Sequence, residues 1–238
     1  MVIATKVGAS PDGLPPNLAP DHILREFPLS LERLDLDSVD LFLSHAPDKT
    51  TPIAKTLETF ATLIERKLVR AIGACNISAE QLREALDESD RLGLPRYECV
   101  QNGFSLLEHG DLVEVLPLCR ERGLGYTPHS PLCGGILTGK YQLGTEPPPG
   151  SRVALLPHVY ADFMTKDALD AVEKLKREAE HLEVSAAALA LAWVLATEGV
   201  TAPIVAPRTP EHFSAVEVAL QLQLDPERWS RLLAAFAG

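Results

Sequence analysis

Lys6 and His45 are the two residues whose types and surroundings best suit chemistry. Lys6 closes the run Ile3-Ala4-Thr5-Lys6, and His45 follows Val39-Asp40-Leu41-Phe42-Leu43-Ser44 just before the turn Ala46-Pro47-Asp48. Each sits where a branched, apolar segment with strand character stops. In an α/β barrel the loops at that end of the strands converge on one pocket, so two strand-end residues of this kind suggest a site. A lysine in such a pocket can form a Schiff base with a carbonyl substrate. Both residues also have plain structural uses, Lys6 as a salt-bridged lysine at a barrel mouth and His45 as a buried, hydrogen-bonded histidine.

Short apolar runs alternate along the chain with longer amphipathic ones, the pattern of repeated strand-helix units around a parallel sheet. Strands are expected at residues 2–6, 39–44, 69–74, 98–102, 124–128 and 203–206, with helices between them. The helix after Asn76 starts at Ser78, and Gln81 three residues on completes a capping box. Ser185 opens a second well-defined helix, rich in Ala and Leu, that runs through Leu195. Gly144 to Pro157 contains Pro147-Pro148-Pro149-Gly150 and little periodicity, and reads as a long surface loop of the kind that covers a site. No interdomain linker stands out, so residues 1–238 are read as one domain, with its long loop at 130–165.

With 238 residues, 46% of them hydrophobic and 23% charged, the chain can bury a large single core. Its net charge of -11 argues against a nucleic-acid footprint. Cys75, Cys99, Cys119 and Cys133 are widely spaced with no CxxC pair, which suits reduced thiols and implies neither a disulfide framework nor a metal site. There is no signal-peptide pattern at the start and no apolar run of about 18 residues. The sequence therefore reads as a soluble, cytoplasmic protein with no membrane partner.

Six strands are too few for a closed barrel of eight, and two missing units of about 30 residues each amount to about 60 residues. Either the fold is an open six-stranded arrangement, or the sequence lacks the first two units of a larger (β/α)8 TIM barrel. Truncation would leave strand edges unpaired, which favours self-association through them.

The chain resembles the aldo-keto reductase superfamily, most closely its aflatoxin-aldehyde reductase branch. The resemblance rests on Ile3-Ala4-Thr5-Lys6, Ser30-Leu31-Glu32-Arg33-Leu34, Asp40 to Asp48, Ile72-Gly73-Ala74-Cys75-Asn76, Val100-Gln101-Asn102, Ser130 to Tyr141, Ala190 to Leu195 and Arg208-Thr209-Pro210-Glu211, in that order. It implies an NADPH-dependent oxidoreductase that reduces small aldehydes and ketones. Such enzymes use a tyrosine acid, a lysine, a histidine and an aspartate. Lys6 matches the lysine and His45 the histidine. The tyrosine and aspartate belong to the two units upstream of the lysine strand, and Tyr126 and Tyr160 lie too far along the chain to match. The residue before Val-Ile-Ala-Thr-Lys is often aliphatic in relatives, so Met1 is read as an internal valine codon taken for a start.

The resemblance also implies the cofactor residues. Asn76 and Gln101 match strand-end amides that hold the nicotinamide carboxamide, and Cys75 replaces a usual serine beside them. Ser130 to Lys140 matches a pyrophosphate loop, in which Ser130, Leu132, Gly134 and Lys140 would meet the cofactor. His129 stands where relatives stack an aromatic ring on the nicotinamide, and Arg152 resembles an arginine that clamps the cofactor. Arg208, Thr209 and His212 resemble the pocket for the adenosine 2′-phosphate, with Thr209 as N-cap and Pro210 at the first helical position. Ala206, His212 and Val216 depart there from a common glycine, glutamine and asparagine. Each residue also has a structural use, as turn, buried amide, helix cap or solvated loop side chain. Beside the reductase reading stand a non-catalytic NADP(H)-binding accessory subunit that senses redox state, and an unrelated barrel enzyme using Lys6 as a Schiff base.

Overall fold

The structure, a computed structural model, describes residues 1–9 and 14–237. They divide into two compact units: Met1–Asn102 with Glu114–Tyr126, and Gly103–Val113 with Thr127–Gly238.

In the first unit, strands β1 (Ala4–Val7), β2 (Val39–Ser44), β3 (Val69–Cys75), β4 (Tyr97–Gln101) and β5 (Gly125–Tyr126) pair in sequence order. All four pairings are parallel, so each connection must cross over, and helices make the crossings. They are α1 (Pro20–Leu34), α2 (Ile53–Glu65), α3 (Ala79–Leu92) and α4 (Val115–Arg122). This is the strand-helix alternation of the TIM-barrel class. Phe42 on β2 packs between Phe27 of α1 and Phe60 of α2, at ring-centroid distances of 4.7 and 5.2 Å. That triad identifies the helix-facing side of the sheet.

Helix α3 begins as the capping box requires. The Ser78 hydroxyl accepts from the Gln81 N–H at 3.2 Å, and the Gln81 side chain accepts from the Ser78 N–H at 3.1 Å. Its end at Gly93 is a left-handed cap.

The second unit is built on helices. Two four-residue helices, α5 (Arg152–Leu155) and α6 (Pro157–Tyr160), precede α7 (Lys166–His181), α8 (Ala186–Ala196), α9 (Pro210–Gln221) and α10 (Pro226–Phe236). Ser185 caps α8 by accepting from the Ala188 N–H at 3.1 Å. Trp193 of α8 is fully buried, stacked between Phe104 at 5.4 Å and Trp229 of α10 at 5.2 Å. The two indoles are also joined through Thr197: Trp229 Nε1 donates to its hydroxyl, which donates to the Trp193 carbonyl. Among the described residues no single helix is long and apolar enough to cross a membrane.

Two expectations are corrected. Residues 203–206 form no strand, so the described sheet has five strands rather than six. Pro203 and Pro207 remove two backbone donors and leave only three residues between them. What persists is one bond, from the Ile204 N–H to the Pro128 carbonyl at 2.8 Å. The second correction is the stretch read as a plain loop from Gly144 to Pro157. It carries α5, whose first turn is capped by the Ser151 hydroxyl accepting from the Ala154 N–H, and the start of α6.

Candidate functional site

Strand register decides which side chains share a face, because paired residues project the same way and residues two apart on a strand do too. Lys6 pairs with Leu43, Leu43 with Gly73, and Cys75 with Gln101. Lys6, Cys75 and Gln101 therefore project from one face, opposite the face on which Phe42 meets the helices. They cluster near the carboxyl ends of the strands. His45 follows directly, held by its N–H to the Val7 carbonyl at 2.7 Å.

His45 is exposed at its surface, but its surroundings still act on it. Desolvation first, and then the Lys6 ammonium, hold its pKa below the usual histidine value. At neutral pH the imidazole is uncharged and can donate from one ring nitrogen and accept at the other. Lys6 also bears on Cys75. Burial pushes that thiol up to about 12, against the pull of Lys6. Such a thiol is a hydrogen-bond donor rather than a nucleophile, and Cys75 Sγ donates to Gln101 Oε1 over 3.9 Å. Gln101 is 6% exposed, so its amide orientation is set from within the protein.

Asn76 follows Cys75 in the left-handed region at φ 54°, which Asn tolerates better than most residues. Its side-chain N–H donates to the His45 carbonyl at 2.9 Å. Lys6, His45, Cys75, Asn76 and Gln101 are thus brought together within the first unit.

Two residues given no role from sequence help hold them there. The Asn102 side chain accepts from the Ile77 N–H at 3.0 Å and donates to the Ile77 carbonyl at 2.9 Å, fixing the turn that carries Asn76. Asp48 organises the loop after His45 by accepting from the Leu18 N–H, the Thr50 N–H and hydroxyl, and the Thr51 N–H. Desolvation raises its pKa, but these hydrogen bonds outweigh it and hold the carboxyl far below the usual range. The sequence Asp-Lys-Thr-Thr carries the signal for the local part of this, an Asp ahead of hydroxyl residues in a turn.

The second unit contains the other expected residues. The loop from His129 to Lys140 departs repeatedly from right-handed conformations: Ser130, Cys133, Gly134, Gly135 and Gly139 all have positive φ. Backbone of this kind lines successive N–H groups into a concavity that suits an anion. His129 Nδ1 lies 3.1 Å from the Ser130 hydroxyl, and the Leu132 carbonyl accepts from the Gly135 and Leu137 N–H groups. At Gly134 a Cβ would lie 2.5 Å from the Tyr160 ring, so that ring seats directly on the loop. Tyr141 adds a bond from its hydroxyl to the Gly134 carbonyl at 3.2 Å. The Lys140 ammonium lies 5.1 Å from the centroid of the Tyr141 ring.

Arg152 is exposed and lies close enough to the Tyr160 phenol to oppose the desolvation that raises it. Arg208 Nη1 donates to the Gly150 carbonyl at 3.0 Å, tying the start of α9 to the segment that carries Arg152. Thr209 occupies the N-cap position of α9 and Pro210 the first turn, but the Thr209 side chain makes no capping bond. The His212 ring serves there instead, with Nδ1 accepting from the Arg208 N–H at 3.1 Å. Among the described residues no three His, Cys, Asp or Glu side chains are grouped as a metal site needs. None of the four cysteines is in a disulfide, and all are buried.

A family model described as "Aldo/keto reductase family" matches residues 1–236. The chain is 35% identical over 91% of its length to the Bacillus subtilis protein named uncharacterized oxidoreductase YrpG, covering 64% of that protein. It is 34% identical over 92% of its length to an Arabidopsis thaliana protein named probable voltage-gated potassium channel subunit beta, covering 69% of it. It is 30% identical over 87% of its length to the NADH-specific methylglyoxal reductase of Escherichia coli, covering 62% of it. The chain thus spans about two thirds of the length of these relatives.

Proposed function

The chain belongs to the aldo/keto reductase family, and from that membership we propose that it is an NADPH-dependent oxidoreductase acting on small aldehydes or ketones. The observation that carries this reading is the placement of Lys6 and His45 at the ends of the adjacent strands β1 and β2, close enough for the Lys6 charge to act on the His45 ring, with the Asn76 side chain bonded to the His45 backbone. Bound cofactor would supply hydride from its nicotinamide ring to the carbonyl carbon. The chain's own part is orientation and charge. The neutral His45 ring would donate to the carbonyl oxygen, and the nearby Lys6 ammonium would stabilise negative charge developing there. Asn76 and Gln101 are assigned to the nicotinamide carboxamide because an amide can both donate and accept.

Within the second unit, the run of positive φ values through Gly134 and Gly135 fits a pyrophosphate. Ser130, Leu132, His129 and the Lys140 ammonium belong to the same assignment, and Arg152 is its clamp. Arg208, Thr209 and His212 at the start of α9 are assigned to the 2′-phosphate, which favours NADPH over NADH. Residues 1–238 are treated as one barrel domain.

The acid that protonates the oxygen is not assigned to a tyrosine of this chain. In the first unit, Tyr97 and Tyr126 are 1% and 0% exposed, and burial pushes the Tyr97 phenol up to about 12. Turnover by this polypeptide is therefore expected to be slow even where binding is tight. The test is a titration of the purified chain with NADPH and NADH, followed by cofactor oxidation over a panel of aldehydes that includes methylglyoxal. Saturable NADPH binding that Arg208→Ala weakens by about tenfold, the worth of one charge-assisted contact, supports the reading. Absence of saturable binding by either cofactor overturns it.

A second reading, a non-catalytic NADP(H)-binding accessory subunit, draws support from the likeness to proteins named as potassium channel β subunits. NADPH binding with no oxidation across the whole panel favours it. We also propose self-association, because β1 pairs on one side only in the described sheet, and a reducing, cytoplasmic setting, because the four cysteines form no disulfide with one another. Size-exclusion chromatography tests the first of these.

A further inference from the structure

A cavity of about 320 Å³ opens in the first unit between the ends of β2 and β3 and the helices α2 and α3. It lies at the small end of the range typical of ligand pockets, about 300–1,000 Å³. Ser44 lines it, one residue before His45 and on the helix-facing side with Phe42, so the cavity stands across the sheet from Lys6. Cys75 is the residue it shares with the cluster around Lys6.

The interior of the cavity is polar but already satisfied. Ser44 and Tyr97 are 3% and 1% exposed and hydrogen-bonded to each other. The Thr56 hydroxyl donates to the Leu18 carbonyl at 3.3 Å. Pro47, Pro52, Ile53 and Ile77 add apolar wall. Nothing here calls for a charged ligand.

The charges stand among the exposed lining residues. Lys49 and Glu84 both line the cavity and both are exposed. Neither forms an ion pair with the other or with any other described residue, whereas Lys55 of the same region is paired with Glu58 at 2.8 Å. Asp48, next to Lys49, is no partner for an incoming ammonium, because its oxygens already take four hydrogen bonds from Leu18, Thr50 and Thr51. A cation and an anion that have no ion-pair partner among the described residues, on one small cavity with apolar walls, can be answered together by a molecule that carries both signs and a hydrocarbon group.

We propose that this cavity binds a small zwitterion of the α-amino-acid type with an apolar side chain, its carboxylate held by Lys49 and its ammonium by Glu84. The side chain lies against Ile53 and Ile77. The site does not depend on cofactor binding or on carbonyl reduction.

The test is a methyl NMR titration of the whole chain, without cofactor, using L-leucine and L-valine as probes. N-acetyl-leucine removes the positive end and leucinamide the negative end. The expected result is saturable shifts of the Ile53 and Ile77 methyls with both amino acids, and binding at least about tenfold weaker for each derivative. Lys49→Met should weaken leucine as much as amidation does and leave leucinamide unchanged, and Glu84→Gln should do the same with respect to N-acetylation. That charge-matched pattern separates contact from a general disturbance. The proposal is overturned if neither amino acid shifts those methyls at millimolar concentration, if leucine and its derivatives bind alike, or if both variants bind leucine as the parent does.

Discussion

The side-chain amide of Asn76 donates to the backbone carbonyl of His45 at 2.9 Å, joining the ends of β2 and β3 where the regular ladder stops. Asn76 does this from a left-handed φ of 54°, so it has two properties that a substitution can separate. Asn76→Gly keeps the backbone freedom and loses the bond, at about 1 kcal/mol. Asn76→Ala loses the bond and adds backbone strain of about 1 kcal/mol more. Urea denaturation should rank the parent above the glycine variant and the glycine variant above alanine.

His45 has its pKa lowered by desolvation and then by Lys6, so the native state prefers the neutral ring. The stability this contributes is complete above the unfolded-state pKa of about 6.5, and is lost as pH falls through the folded value. Removing the Lys6 charge with Lys6→Met leaves desolvation in place. The His45 titration, followed by its ring proton resonances, should move up towards the ordinary histidine value without passing it. No movement would mean that the Lys6 charge does not reach the ring.

Asp48 gives the opposite kind of test, since its ionised form is the hydrogen-bonded one. Its depressed pKa contributes stability that is present above the unfolded value of about 3.9, and is lost as pH falls through the folded pKa. Asp48→Asn should lower stability at neutral pH by about 2 kcal/mol, the scale of hydrogen bonds to a charged group. It should also flatten the decline in stability on acidification. Chemical denaturation at a series of pH values measures both.

Gly134 combines a φ of 62° with the Tyr160 ring in the place of a Cβ. Gly134→Ala should destabilise the second unit by more than the roughly 1 to 2 kcal/mol that left-handed backbone alone costs a non-glycine residue. Gly139→Ala should be milder, because the atom its Cβ would meet is Cδ of the Lys176 side chain, which can swing away. Adding Tyr160→Ala should recover part of the Gly134→Ala loss and none of the Gly139→Ala loss, as thermal melts of the single and double variants would show.

What could be read from the sequence was what is decided locally. Ser78 with Gln81, and Ser185, announce helix starts because a cap and the N–H it satisfies lie within three residues. Lys6 and His45 could be placed at strand ends because the apolar runs stop there. The same local rule makes Thr209 a cap, yet its side chain makes no capping bond and the His212 ring takes up the Arg208 N–H instead. Residues 203–206 look like a strand by composition, but pairing is a tertiary property, and the flanking prolines remove the donors it needs. Helices α5 and α6 are four residues each, too short for any periodicity to show. The roles of Asn102 and of Asp48 towards Leu18 were illegible for a different reason: their partners lie 25 and 30 residues away.

The stacked indoles of Trp193 and Trp229 have a practical consequence for observing this molecule. They are the chain's two tryptophans, and both belong to the second unit. Emission excited at the red edge of protein absorption therefore watches that unit alone and is blind to the sheet that carries Lys6 and His45. Followed alongside a backbone signal such as far-ultraviolet dichroism, it reveals whether both halves melt in one transition or in two.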